Sequence, residues 1–218
     1  METLTHPDSR MQEADRNHEA NRRLEVLEDT IASYQEQYDF VEGVTVFGST
    51  MHGDAHEKSD VDAMVFIDPD KVAQGHGVEL DEADYSDLAG VVQNDLLAKL
   101  DLKDASISSG KRNDIKVFPI NERIVDELIN EFEQSDEELP MLHRSVSALF
   151  HPTVADGNRV GELRASVLSK IASSKNPQEL WSEIVRPVWT FEGATHNEQS
   201  KIPEEFEDAQ KVYSRVGD

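Results

Sequence analysis

The 218-residue chain contains no cysteine. This excludes disulfides, thiolate zinc sites and cysteine nucleophiles. No apolar run approaches the ~20 residues of a membrane-spanning helix, and the mean hydropathy is -0.59. The opening METLTHPDSRMQEADRNHEA lacks the apolar core of a secretory signal, so a cytoplasmic location without membrane contact is expected. Walker-type loops, dinucleotide fingerprints, Gly-x-Ser-x-Gly elbows and internal repeats are also missing. Cations are scarce: 21 Lys and Arg stand against 45 Asp and Glu, for a net charge of -24. Binding nucleic-acid phosphates usually needs a basic patch, so nucleic acid is disfavoured as a partner. Cationic acceptors such as aminosugars would be drawn in by the long-range field. Acidity spread along a chain equally suits a salty cytoplasm, and the sequence does not separate the two.

What is present concentrates in Val44–Asp68, VTVFGSTMHGDAHEKSDVDAMVFID. Val44, Val46 and Phe47 read as a buried strand. It stops at Gly48-Ser49, where glycine lets backbone approach a ligand without a Cβ in the way. If Ser49 or Thr50 opens a helical turn, its free N–H groups favour a phosphate. A second glycine, Gly53, follows, and then Ser59-Asp60-Val61-Asp62 leads into the apolar Ala-Met-Val-Phe-Ile of a second strand. In an extended chain Asp60 and Asp62 share one side, roughly 6–7 Å apart. Two carboxylates that close repel unless a cation lies between them. Mg²⁺ suits them, with hard oxygen ligands from carboxylates and substrate phosphates. Asp114, near the start of the strand Ile115–Phe118, is the best third carboxylate, with Asp101 and Asp104 as rivals. Lys116 shares its face and could meet a phosphate. His52, His56 and Asp60, four apart, would form a zinc-like face on a helix, but Gly53 argues against one helix through all three.

Gly48-Ser49, Gly53, Ser59-Asp60-x-Asp62 and Asp114 together resemble the signature of the polymerase-β-type nucleotidyltransferase superfamily, above all its minimal and antibiotic-modifying members. The resemblance spans roughly residues 40–120. It implies that Gly48 and Ser49 hold the triphosphate of an NTP, with ATP the expected one; Ser59 and Lys116 are further candidates for that binding. It further implies that Asp60 and Asp62 bind two Mg²⁺, with Mn²⁺ as a substitute, and that Asp114 is third ligand or base. The implied reaction moves an NMP from the NTP to an acceptor hydroxyl and releases pyrophosphate. A small-molecule acceptor is favoured. An antitoxin-like enzyme that nucleotidylates a partner protein, and a catalytically idle NTP-binding scaffold, are the other readings.

The expected fold is α/β: a small mixed β-sheet of the nucleotidyltransferase type flanked by helices, with a C-terminal helical segment. Residues 1–40 read as an N-terminal helical arm, 41–155 as the nucleotidyltransferase core and 156–218 as the C-terminal segment. In the arm, 1–17 are polar; from His18, Leu24, Leu27, Ile31, Tyr34 and Tyr38 form one helical face, with Arg22 and Arg23 on the other. After Asp68, Pro69 reads as a turn, and KVAQGHGVELDEADYSD as a loop at the rim of the site. Leu88–Leu100 mark a helix, Ala105–Ser108 a strand, and Gly110–Asn113, with Lys111 and Arg112, a hairpin tip. Beyond Ile120 the pattern is helical: Ile124–Phe132, MLHRSVSALF, Val160–Ile171, a segment opened by Pro177 and bent by Pro187, and one opened by Pro203. Asp156-Gly157-Asn158 reads as a turn. Trp181 and Trp189 recur at helical spacing, which marks core more often than an acceptor pocket.

Overall fold

A computed structural model describes residues 18–53, 55–56, 59, 61–76, 82–104, 115–134, 140–150, 155–156, 158–186 and 202–213. The chain divides into two compact units: residues 1–118 with 153–157, and residues 119–152 with 158–218. The helical unit thus takes over at Pro119, inside the span read from the sequence as core. The expected elements at 1–17, Ala105–Ser108, Gly110–Asn113 and Pro187–Trp189 lie outside the described residues.

The first unit is a four-stranded sheet with helices. Helix α1 (His18–Gln37) leads into β1 (Val41–Phe47), followed by the short α2 (Gly48–His52) and β2 (Asp62–Ile67). Helices α3 (Pro69–His76) and α4 (Glu82–Lys103) precede β3 (Ile115–Pro119), and β4 is the two-residue Ala155–Asp156. The strand order is β3-β2-β1-β4, with β1 antiparallel to both neighbours. Strand β2 is buried from Ala63 to Ile67, as its unbroken apolar run requires. Tyr34, Val46, Met64, Phe66, Leu96 and Leu100 fill the core, and the Phe66 ring stacks on Phe118 at 6.0 Å between centroids. Burial, then Asp95, pushes the Tyr34 phenol far above its ordinary value.

Three local readings change. The connection after Asp68 is helical over Pro69–His76 and again from Glu82, not a loop. The cause is a helix start written into Asp68-Pro69: the Asp70 N–H donates to Asp68 Oδ1 at 3.0 Å, and proline suits the first helical position. Arg23 is not on the solvent face. The buried stripe of α1 is Ala20, Arg23, Leu27, Thr30, Ile31 and Tyr34; it keeps Leu27, Ile31 and Tyr34 of the expected face and takes Arg23 in place of Leu24. Asp156 is not in a turn; it pairs with Thr45 as the edge of the sheet, too short for any period to show.

The second unit is helical among its described residues: α5 (Glu122–Gln134), α6 (Pro140–Leu149), α7 (Asn158–Ala172), α8 (Pro177–Leu180), a π-turn (Trp181–Val185) and α9 (Phe206–Tyr213). Asn121 caps α5, its Oδ1 accepting the Ile124 N–H at 2.9 Å. Trp181 is wholly buried. Its ring meets Phe150 edge-on at 5.2 Å, and its Nε1–H donates to the Pro203 carbonyl at 2.9 Å. That satisfied indole is core. No helix among the described residues is long and apolar enough to cross a membrane.

Replacing Asp68 with Ala should cost about 1 kcal/mol by removing the α3 cap, read as a lower urea midpoint at unchanged slope. An unchanged midpoint would show that Pro69 alone sets the helix start.

Candidate active site

The site grows from the β1–β2 ladder. Its register carries an irregularity between Val41 and Gly43 and ends with Phe47 opposite Asp62. The residue after Phe47 is Gly48, so the strand pairing itself brings the glycine turn and the aspartate together. Gly48 has φ 69°, and Gly53 has φ 80°. Both lie in the left-handed region that glycine enters without strain. At Gly48 space matters as much as φ: a Cβ built there would fall 1.8 Å from Asp62 Oδ2 and 2.8 Å from its Cγ. The Asp62 carboxylate therefore occupies the position that any other side chain at 48 would need.

Helix α2 is one turn long. Its first residues follow an extended Phe47 with no side-chain capping bond. Gly53 closes it in the left-handed conformation, donating its N–H to the Ser49 carbonyl. This explains both glycines differently: the first admits a carboxylate, the second ends a helix. It also separates His52 from His56, since the helix stops between them. Beyond it the loop turns back at Ser59, whose N–H donates to the His56 carbonyl at 2.8 Å. The His56 N–H in turn donates to Ser59 Oγ at 3.0 Å. Ser59 thus braces the loop just before Asp60.

A cation stands behind that loop. Arg23 is 0% exposed; its Nε donates to Glu19 Oε1 at 2.7 Å and its Nη1 to the Ser59 carbonyl. Its Nη2 has no hydrogen-bond partner among the described residues. Arg22, on the neighbouring position, takes the same Glu19 carboxylate at 2.7 Å and also Asp104. Hydrogen bonds, first from Arg22 and then from Arg23, hold the Glu19 carboxyl down at about 2 against the opposing effect of burial.

Of the residues picked from sequence, Gly48, Ser49, Ser59 and Asp62 fall in this one neighbourhood. Lys116 is half-buried on β3, between the inward Ile115 and Val117. Asp60 and Asp114 lie outside the described residues, as do Lys111 and Arg112. Of Asp114's rivals, Asp104 is engaged with Arg22 and Asp101 is an exposed residue of α4. Among the described residues no group of three metal-ligating side chains occurs. The half-exposed Asp62 offers hard oxygen donors beside a backbone stripped of Cβ, which is chemistry a divalent cation fits.

A family model described as Polymerase beta, Nucleotidyltransferase matches residues 29–126. That segment is similar to the polymerase-β nucleotidyltransferase family. The match starts within α1 and ends within α5, and so takes in Gly48, Ser49, Asp60, Asp62 and Asp114. The family's chemistry is nucleotidyl transfer. No curated protein and no solved structure matches the chain. Sequence reasoning missed Arg23: an arginine at a helical core position was the available signal, hidden because Leu24 beside it supplied a plausible apolar pattern.

Gly48→Ala should destabilise the fold by about 2–4 kcal/mol, from left-handed strain plus overlap with Asp62. In the Asp62→Ala background the same change should cost at least about 1 kcal/mol less; strictly additive losses would contradict the overlap. Glu19 gives a pH prediction. Its folded value lies below the ordinary 4.5, so its contribution is complete above that pH and is lost as pH falls towards about 2. Acid titration of stability should be flatter in Glu19→Gln over this window, whereas parallel curves would remove Glu19 from the account.

Proposed function

We propose that the chain transfers a nucleoside monophosphate from an NTP to an acceptor hydroxyl and releases pyrophosphate. The single observation that carries this is the seating of the Asp62 carboxylate against Gly48, within a segment similar to the polymerase-β nucleotidyltransferase family. An acidic group at the start of a buried strand, touching a turn with no side chain, is an arrangement suited to a polyphosphate and its counter-ions.

In this reading Asp60, Asp62 and Asp114 would hold two Mg²⁺. When bound, such ions neutralise the phosphates and stabilise attacking and leaving oxygens. The chain's own residues supply the rest. Gly48 admits the Asp62 carboxylate against the turn, and Ser49 orients the triphosphate with its hydroxyl and N–H. Ser59 keeps the aspartate loop closed, and Lys116 offers a cation to a phosphate oxygen. Asp114 accepts the proton of the attacking hydroxyl. Most of the rate then comes from positioning and charge neutralisation. The acidic surface favours a cationic small-molecule acceptor over nucleic acid.

The test is incubation with each α-labelled NTP, Mg²⁺ and separate pools of small molecules, RNA and protein. Label should enter a hydroxyl-bearing small-molecule pool with stoichiometric pyrophosphate. Asp60→Asn and Asp62→Asn should each lower the rate about 10²–10³-fold or more, with the melting temperature held within about 3 °C. Full activity in both variants would refute the metal assignment, and label confined to RNA would refute the acceptor class.

A further inference from the structure

We propose that Arg23 is a positioning residue for the aspartate loop, holding the Ser59 carbonyl and so fixing the chain that leads into Asp62. This rests on the nucleotidyl-transfer reading. It goes beyond the family match, which begins at residue 29 and so includes neither Arg23 nor Glu19.

Three observations support it. The guanidinium is wholly buried on the inward face of α1. It bridges two elements, tied to Glu19 on its own helix and to the carbonyl that immediately precedes Asp60. Finally, Nη2 has no partner among the described residues although it is buried. An apolar side chain of similar size could fill the same space, so what distinguishes arginine here is its bridge between α1 and the loop. A rigid planar fork with several donors, fixed at one end by a carboxylate, is suited to holding a carbonyl in one place.

The α1 network is compatible with this role. Glu19 is shared by Arg22 and Arg23, and Asp104 completes it through Arg22. Two carboxylates thus meet two guanidinium groups, and the cluster is neutral by itself.

The experiment is Mn²⁺ binding followed by electron paramagnetic resonance on the full chain, with kcat, KM for NTP and melting temperature measured alongside. Arg23→Met should weaken Mn²⁺ binding about 10–100-fold and lower kcat similarly, with KM changed far less and the melting temperature nearly unmoved. Arg23→Lys, which keeps the charge and one donor, should recover part of the affinity. Wild-type affinity and kcat in Arg23→Met overturn the proposal. A uniform loss that tracks melting temperature, with no rescue by lysine, also overturns it and makes Arg23 a packing residue. Should neither variant fold, Glu19→Gln loosens the anchor without removing the guanidinium. Several-fold weaker Mn²⁺ binding there supports the proposal, and unchanged binding overturns it. A wild-type chain that neither binds Mn²⁺ nor transfers nucleotide refutes the nucleotidyl-transfer reading instead.

Discussion

The register of the β1–β2 ladder decides which side chain stands beside Gly48, and the rest of the candidate site follows from it. At its outer end Val41 pairs with Ile67, and if that spacing ran on, Phe47 would face Val61. The irregularity between Val41 and Gly43 shifts the pairing by one residue, so that Phe47 faces Asp62. A one-residue slip in a strand exchanges its two faces. Here the irregularity puts a carboxylate, not an isopropyl group, against a turn whose glycine has no Cβ to oppose it.

Charge is managed in the same economical way. An acidic chain has few cations to place, and two of them sit side by side on α1 with unlike duties. Arg22 reaches across to α4 through Asp104, while Arg23 turns inward to the loop that opens β2. Glu19 serves both, which is why its proton is held so weakly. Through Arg23 the helix is thereby tied to the Ser59 carbonyl, three residues before β2 opens.

Much of this was legible in the sequence, for identifiable reasons. Strand β2 is too apolar to be anything but buried, and Phe47-Gly48 marks the end of β1 because the apolar run stops at a glycine. The grouping of Gly48, Ser49, Ser59 and Asp62 followed from a motif whose spacing only a strand–turn–strand frame could use. The errors were of two kinds. Asp68-Pro69 was taken for a turn, although aspartate before proline is equally a helix cap. The sequence puts Arg23 on the face opposite the apolar stripe because a charge is a poor advertisement for burial; its partners, Glu19 one turn away and a carbonyl 36 residues on, are invisible to a periodicity. Strand β4, two residues long, carries no pattern at all.

The most direct measurement is anomalous diffraction at the manganese edge from crystals grown with Mn²⁺ and a non-hydrolysable NTP. The account predicts Mn²⁺ on the carboxylates of Asp60 and Asp62, with the triphosphate lying along the Gly48–Ser49 turn. Manganese bound elsewhere, or a nucleotide with no contact to that turn, would contradict it.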